Sequence, residues 1–198
     1  MKSLIIIEDH PIMRSGLAAF FESTGRWQVK ETASNLNEAK KLFVNVTADA
    51  ALLDIQLDDR WGLDIIPWML ENLNGRMPVL AVYSAFDDYA HVSAALGMGV
   101  KAYVTKRRSE QELEAALLAA LSGSEYIDEA AQIKLNNVTE LVNLLTKREA
   151  EILTLTKNGL SNKQIAYDLG ISRRTVENIL SCIYNKTGIK SRRELERL

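Results

Sequence analysis

The chain has 198 residues, of which 47% are hydrophobic and 25% are charged, and its formal net charge is −2. This composition is that of an ordinary globular protein of one or two domains, and the single cysteine, Cys182, excludes an internal disulfide framework and a cysteine-rich metal site. No apolar run reaches the roughly 20 residues that span a bilayer, and Ser3–Ile7 is followed at once by two acidic residues, so we expect a cytoplasmic protein without a signal peptide or a membrane partner.

Strand-like and helix-like segments alternate five times in the first part of the chain. Apolar runs predict the strands Ser3–Ile7, Trp27–Ala33, Ala50–Leu53, Pro78–Tyr83 and Lys101–Val104. Helical spacing predicts helices that begin at Pro11, cover Leu36–Val44, Leu63–Leu73 and Asp87–Leu96, and run from the capping box Ser109-Glu-Gln-Glu112 to Leu121. This alternation predicts an α/β fold with a doubly wound, five-stranded parallel sheet that is covered by helices on both faces.

Polar side chains stand where four of these strands end. They are Glu8 and Asp9, Asp54, Ser84 and Lys106. Right-handed crossovers bring the carboxyl ends of parallel strands to one edge of the sheet, so we expect these side chains to meet. Ordinary loop polarity is the alternative explanation. Three carboxylates in one pocket repel one another and suit Mg²⁺, and a lysine and a hydroxyl opposite them suit an incoming phosphoryl group.

Residues 1–122 resemble the receiver domain of two-component response regulators, a flavodoxin-like fold. The matching residues are Glu8-Asp9-His10-Pro11, Asp54, Ser84 and Tyr103-Val-Thr-Lys106. The resemblance implies that Asp54 accepts a phosphoryl group from a histidine kinase. It also implies that Asp9 binds Mg²⁺ directly, Glu8 binds it through water, and the backbone carbonyl of Gln56 is a third ligand. Lys106 and Ser84 would bind phosphoryl oxygens, and Tyr103 would be the switch aromatic, with simple core packing as its alternative role.

The chain departs from the family pattern beside the acceptor. The family often has Met-Pro where Leu57 and Asp58 stand, whereas Gly62 is retained. The charges of Asp58 and Asp59 disfavour a dianionic phosphoryl group unless the two side chains point outward, which leaves the lifetime of the phosphoryl group open.

An Asp-nucleophile phosphatase is a rival interpretation, although such enzymes place a second Asp where this chain has Gln56. A regulator that binds DNA without phosphorylation is a third.

Residues 123–143 have a loose pattern and are predicted to form a linker, with a short helix as an option. Residues 144–198 contain 11 Lys/Arg against 6 Asp/Glu, a charge of +5, whereas residues 1–143 carry −7. Four capped helices are predicted in this basic unit. Their caps are Thr146-Lys-Arg-Glu149, Ser161-Asn-Lys-Gln164, Ser172 before Arg173–Lys186, and Ser191-Arg-Arg-Glu194, with Gly159, Gly170 and Gly188 ending the first three helices. The second and third helices have the form of a helix-turn-helix, although a helical docking domain is the alternative.

Three motifs of this unit resemble the LuxR-type DNA-binding domain of the NarL/FixJ regulators, over residues 144–198. They are Leu145-Thr-Lys-Arg-Glu149, Gly159-Leu-Ser-Asn-Lys-Gln-Ile-Ala166 and Leu169-Gly-Ile-Ser-Arg-Arg-Thr-Val176. The resemblance implies that the third helix enters the major groove of double-stranded DNA. Base contacts are then expected from Glu177, Asn178 and Ser181, with Arg174 on the same outer face, and phosphate contacts from Ser161, Lys163, Arg173, Thr175 and Lys186.

Together these features predict a phosphorylation-controlled transcription regulator that is not a turnover enzyme. Phosphorylation is expected to favour a homodimer that binds paired half-sites, and Arg193–Leu198 is a candidate dimer surface. The spacing of Ile179 predicts core packing, and Cys182 is predicted to be a passive helix residue rather than a redox sensor.

Overall fold

The computed structural model describes residues 1–58, 60–187 and 191–192, with the backbone alone for 137–143. The chain divides into two compact units, residues 1–132 and 133–198, which are described separately. The predicted domain boundaries at residues 122 and 144 stay predictions. Within the described ranges, no helix combines the length and the apolarity needed to cross a membrane.

The first unit is built on a parallel sheet. Its strands in chain order are β1 (Lys2–Ile7), β2 (Trp27–Ala33), β3 (Ala50–Leu53), the short β4 (Gln56–Leu57) and β5 (Arg60–Trp61), β6 (Val79–Ser84), β7 (Ala102–Thr105) and β8 (Tyr126–Ile127). The main sheet has the order β2-β1-β3-β6-β7-β8 with every pair parallel, and β4 and β5 form a separate antiparallel hairpin.

The prediction of five strands in the sheet was therefore wrong, because β8 adds a sixth. Residues 126 and 127 pair with Ala102 and Tyr103 of β7, inside the segment that was predicted to be a linker. Two residues are too few to show an alternating pattern, so this strand has no periodicity from which it could be predicted. The same reason explains why the β4–β5 hairpin was not predicted.

The helices of the first unit are α1 (Pro11–Ser23), α2 (Leu36–Asn45), α3 (Ile65–Asn72), α4 (Tyr89–Gly97) and α5 (Glu110–Leu121), and the unit boundary falls within α6 (Glu129–Asn143). Pro11 stands in the first turn of α1, and the capping box of Ser109 and Glu112 begins α5, so both predicted helix starts are confirmed. The core contains Leu4, Ile6 and Phe21. Burying these side chains positions the carboxyl ends of the strands.

The second unit contains α7 (Lys147–Lys157), α8 (Asn162–Asp168) and α9 (Arg173–Thr187). Both predicted capping boxes, at Thr146 and Ser161, are confirmed, and the hydroxyl of Ser172 accepts a hydrogen bond from the backbone N–H of Thr175. The three helices bury a common core of Ile152, Leu153, Ile165, Ala166, Val176, Leu180 and Ile183, and Ile179 packs against it as predicted. Gly188 and the predicted fourth helix over Arg193–Leu198 lie outside the described residues.

Candidate functional site

The polar residues predicted to meet at the carboxyl edge of the sheet do so because neighbouring strands hold their backbones in register. The backbone N–H of Asp54 donates to the carbonyl of Ile7 at 2.9 Å, which places the end of β3 beside the end of β1. The N–H of Lys106 donates to the carbonyl of Ser84 at 2.7 Å, which does the same for β7 and β6. Glu8 is anchored by its own N–H, which donates to the carbonyl of Ala33 at 3.0 Å.

Lys106 joins two of the carboxylates. Its Nζ lies 2.7 Å from Oε2 of Glu8 and 2.7 Å from Oδ2 of Asp54, and all three side chains are largely removed from solvent. Burial raises the pKa of the Asp54 carboxyl above its ordinary value, although the Lys106 ammonium opposes this rise. Burial alone would lower the pKa of Lys106, but its hydrogen bonds to both carboxylates raise it. Lys106 therefore stays charged and compensates a crowded acidic pocket.

Asp9 contributes the third carboxylate. Its Oδ2 accepts a hydrogen bond from the backbone N–H of Asp58 at 2.9 Å. Its Oδ1 is buried and lies 2.8 Å from Nδ1 of His10. Oxygen atoms of Glu8, Asp9 and Asp54 lie within 4.8 Å of one another, together with a nitrogen of the exposed His10. Three converging carboxylates are a set of hard oxygen donors, which fits Mg²⁺. Gln56, the fourth predicted ligand, stands in β4 and donates its backbone N–H to Asp54 Oδ1 at 3.3 Å.

Ser84 and Tyr103 both contact the backbone of Phe86. The hydroxyl of Ser84 accepts from the N–H of Phe86 at 3.3 Å, and the hydroxyl of Tyr103 donates to the carbonyl of Phe86 at 2.9 Å. Both side chains are fully buried. Burial raises the pKa of Tyr103 well above its ordinary value, so the phenol is a neutral donor. A link between the site hydroxyl and Tyr103 through one backbone residue is what a switch needs, and the switch role itself stays a prediction.

Leu57 and Asp58 depart from the receiver pattern beside this pocket. Leu57 is buried, whereas Asp58 is exposed with a φ of +50°. The exposed position of Asp58 weakens the expected repulsion of a phosphoryl group, and Asp59 lies outside the described residues. A Cβ on Gly62 would fall 1.9 Å from the backbone oxygen of Asp54, so this close approach requires glycine.

One residue that supports the site was missed in the sequence. Nη1 of Arg14, on α1, donates to the backbone carbonyl of Glu8 at 2.7 Å and to that of Asp9 at 3.1 Å. The guanidinium fixes the loop that carries two of the three carboxylates and places a positive charge behind it. A helical position five residues after Asp9 could have suggested this contact, but a bond to backbone carbonyls leaves no partner residue type to look for.

In the second unit, all of the predicted DNA-contacting residues are exposed. They are Ser161, Lys163, Arg173, Arg174, Thr175, Glu177, Asn178, Ser181 and Lys186, and Cys182 is exposed beside them. Glu177 and Arg173 form an ion pair at 2.8 Å, which couples a predicted base contact to a predicted phosphate contact. Lys186 lies 2.7 Å from Oε2 of Glu149, so the structure shows it in an ion pair.

Comparisons with known proteins match both units. Residues 4–118 match the family described as response regulator receiver domain, and residues 143–198 match bacterial regulatory proteins of the luxR family. The nitrate/nitrite response regulator protein NarL of Escherichia coli (strain K12) is 32% identical over 201 residues, which cover 97% of this chain and 92% of NarL. The transcriptional regulatory protein YdfI of Bacillus subtilis (strain 168) is 29% identical, over 98% of this chain and 93% of YdfI.

A solved structure shows the same fold. RcsB from Salmonella enterica serovar Typhimurium, bound to promoter P1flhDC in the presence of phosphomimetic BeF3−, superposes with a TM-score of 0.70 at 21% identity, over 98% of this chain and 96% of RcsB. A receiver-type sheet with an acidic pocket, followed by a helix-turn-helix unit, defines a DNA-binding transcription regulator. The chain belongs to the response-regulator family, in the group that joins a receiver domain to a LuxR-type DNA-binding domain.

Proposed function

We propose that Asp54 accepts a phosphoryl group from a histidine kinase, and that this modification controls DNA binding by the second unit. The observation that carries the proposal is the position of the Lys106 ammonium, 2.7 Å from both Asp54 and Glu8. In this position it is ready to exchange a carboxylate for a phosphoryl oxygen. A DNA-binding regulator acts where the chromosome is, so we also propose a cytoplasmic location.

In the proposed transfer, an oxygen of the Asp54 carboxylate attacks the phosphorus atom. The bond between phosphorus and the donor breaks, and its electron pair leaves with the donor. Lys106 turns from Glu8 toward one oxygen of the transferred group, and the hydroxyl of Ser84 turns from Phe86 toward another. Asp9, Asp54 and the carbonyl of Gln56 would hold Mg²⁺, with Glu8 bound through water, and the ion would supply the charge neutralisation that phosphoryl transfer needs.

We further propose that α9 reads DNA bases and that a basic rim around it holds phosphates. Asn178 and Glu177 suit adenine and cytosine respectively, and both are exposed on α9. Lys163 and Arg173 line a shared concave surface with Ser161, which suits a phosphate of the DNA backbone. Phosphorylation would shift the population toward a homodimer, and two copies would contact paired half-sites.

Mass spectrometry of the intact chain tests phosphoryl acceptance. With acetyl phosphate and Mg²⁺, we expect the wild type to gain one phosphoryl group and Asp54→Ala to gain none. Asp64→Asn is the matched control, because Asp64 is an exposed carboxylate that makes no capping hydrogen bond. Equal labelling of Asp54→Ala would refute the proposal. Continuous hydrolysis of phosphoesters, rather than one group per chain, would favour the phosphatase interpretation instead.

A further inference from the structure

The buried carboxylate of Asp128, which lies outside the acidic pocket, joins β7 to α6. Asp128 is 1% exposed and stands between β8 and α6. Its Oδ2 accepts a hydrogen bond from the backbone N–H of Thr105 at 2.5 Å, and its Oδ1 accepts one from the N–H of Ala131 at 3.0 Å. Its own N–H donates to the carbonyl of Tyr103 at 2.9 Å. One residue is therefore bonded both to β7 and to the first turn of α6.

The β7 partners of Asp128 are next to the residues of the proposed switch. Thr105 lies directly before Lys106, whose N–H is bonded to Ser84, and Tyr103 is the predicted switch aromatic. A second contact follows the same route, because the guanidinium of Arg108 lies 3.6 Å from the carboxylate of Glu129, the first residue of α6. A backbone shift at residues 103–106 thus reaches the start of α6 through the hydrogen bonds that join Tyr103 and Thr105 to Asp128.

Helix capping alone does not explain this arrangement. A single oxygen accepting from the third residue of a helix is sufficient for an N-cap, and Ser or Asn would serve equally well. Asp128 instead divides its two oxygens between the helix and β7. Burying an ionised carboxylate is costly unless it is paired or hydrogen-bonded. Its burial opposes ionisation, but the hydrogen bonds from Thr105 and Ala131 hold its pKa below the ordinary value.

We propose that Asp128 is a positioning residue that transmits the state of the phosphoacceptor site to α6, the helix in which the boundary between the two units falls. The inference rests on the proposed function and adds to it the residue through which phosphorylation acts on DNA binding. When Lys106 follows a phosphoryl oxygen, the backbone of Thr105 moves with it, and Asp128 carries this displacement to the first turn of α6. Without the bond to Thr105, phosphorylation proceeds but its effect on the second unit is lost.

The variant Asp128→Asn keeps a side chain that can cap a helix but removes one of the two acceptor oxygens of Asp128. Its single amide oxygen can accept from Ala131 or from Thr105 but not from both, so the side chain can no longer join β7 to α6. Asp128→Ser is a second variant with the same logic, because serine caps helices well but is too short to hold both partners. Glu125→Gln is the matched control, since it removes an exposed ion pair with Lys101 beside β8 and leaves Asp128 intact.

The measurement is the affinity of the full chain for an operator duplex selected with the wild type, at one salt concentration, with and without beryllium fluoride and Mg²⁺. We expect the wild type and Glu125→Gln to bind more tightly with beryllium fluoride, and the Asp128 variants to lose at least about fivefold of that gain, the lower end of ordinary coupling between sites. Their labelling at Asp54 and their affinity without beryllium fluoride should equal those of the wild type.

Four outcomes would overturn the inference. The Asp128 variants could keep the whole gain, or they could lose Asp54 labelling, which would make Asp128 part of the acceptor site. A wild type that is labelled but shows no gain would refute the coupling and leave phosphoryl acceptance standing. A wild type that is not labelled at all would refute the proposed function as well.

Discussion

Replacing Lys106 by methionine removes an ammonium that holds Glu8 and Asp54 together. Both contacts are 2.7 Å long, and only 16% of the lysine side chain is exposed. Methionine keeps most of the apolar stem, so the change isolates the charge. Removing one partner of a buried ion pair leaves an uncompensated charge and costs about 3–5 kcal/mol. We expect the free energy of unfolding of Lys106→Met to fall by this amount in EDTA at neutral pH.

The loss of stability in Lys106→Met should depend on Mg²⁺. In the variant, Mg²⁺ can compensate the carboxylates in place of the ammonium, and no ammonium competes with it for Glu8 and Asp54. A ligand present at 100 times its dissociation constant stabilises the folded state by about 2.7 kcal/mol. Because the variant should bind Mg²⁺ more tightly than the wild type, the same Mg²⁺ concentration should stabilise it more. Phosphorylation should be impaired even at saturating Mg²⁺, since Lys106 is proposed to bind the transferred group.

Urea unfolding of the wild type and Lys106→Met, each in EDTA and in Mg²⁺, measures the loss of stability and the stabilisation by Mg²⁺. Lys101→Met is the matched control, because it breaks the exposed pair with Glu125 and should cost less than about 1 kcal/mol with no dependence on Mg²⁺. If Lys106→Met were no less stable than this control in EDTA, and responded to Mg²⁺ as the wild type does, Lys106 would not be the compensating charge of the pocket.

Three further predictions concern Arg14 in the first unit and the Glu149–Lys186 ion pair and Asn178 in the second. Arg14→Ala should lower Mg²⁺ affinity by about 10–100-fold in calorimetric titration, because the guanidinium orients the loop that carries two of the ligands, and an unchanged affinity would refute its positioning role. The hydrogen bond from Lys186 holds the pKa of Glu149 at about 2, below its ordinary 4.5. The stability from this pair should therefore be present above pH 4.5 and be lost as the pH falls towards 2, and Lys186→Met should remove much of that loss when urea midpoints at pH 7 and pH 3 are compared. Asn178→Ala should relax discrimination at one operator position by about 1–3 kcal/mol in competition binding, whereas a uniform loss across sequences would assign Asn178 to the DNA backbone.

The sequence predicts the acidic pocket well for a topological reason. In a parallel sheet, residues far apart in the chain meet when each of them follows a strand, so locating Glu8, Asp54, Ser84 and Lys106 at strand ends was sufficient to place them together. The capping boxes were predictable for a different reason. A box such as Thr146 with Glu149 is contained in four consecutive residues and needs no tertiary information.

The contacts that the sequence did not predict are those that side chains make to backbone atoms. Arg14 binds two carbonyl groups, and Asp128 accepts from an N–H that is 23 residues away. Every residue except proline has an N–H and every residue has a carbonyl, so neither contact imposes a residue type on its partner. The sixth strand could not be predicted for a similar reason, because β8 is defined by its backbone hydrogen bonds to β7 rather than by its own composition.

The charge of the pocket explains why the proposed switch would involve the backbone as well as a side chain. Three carboxylates meet the Lys106 ammonium there, and a phosphoryl group on Asp54 would add a charge of about −1.5 to −2 at neutral pH. The Nζ of Lys106 must move if it is to bind a phosphoryl oxygen in addition to Glu8 and Asp54. The N–H of Lys106 is held by Ser84 and that of Thr105 by Asp128, so the movement of the side chain is resisted at two bonded backbone positions. Because one of these bonds ends on the residue that caps α6, a local exchange of anions would act directly on the start of that helix.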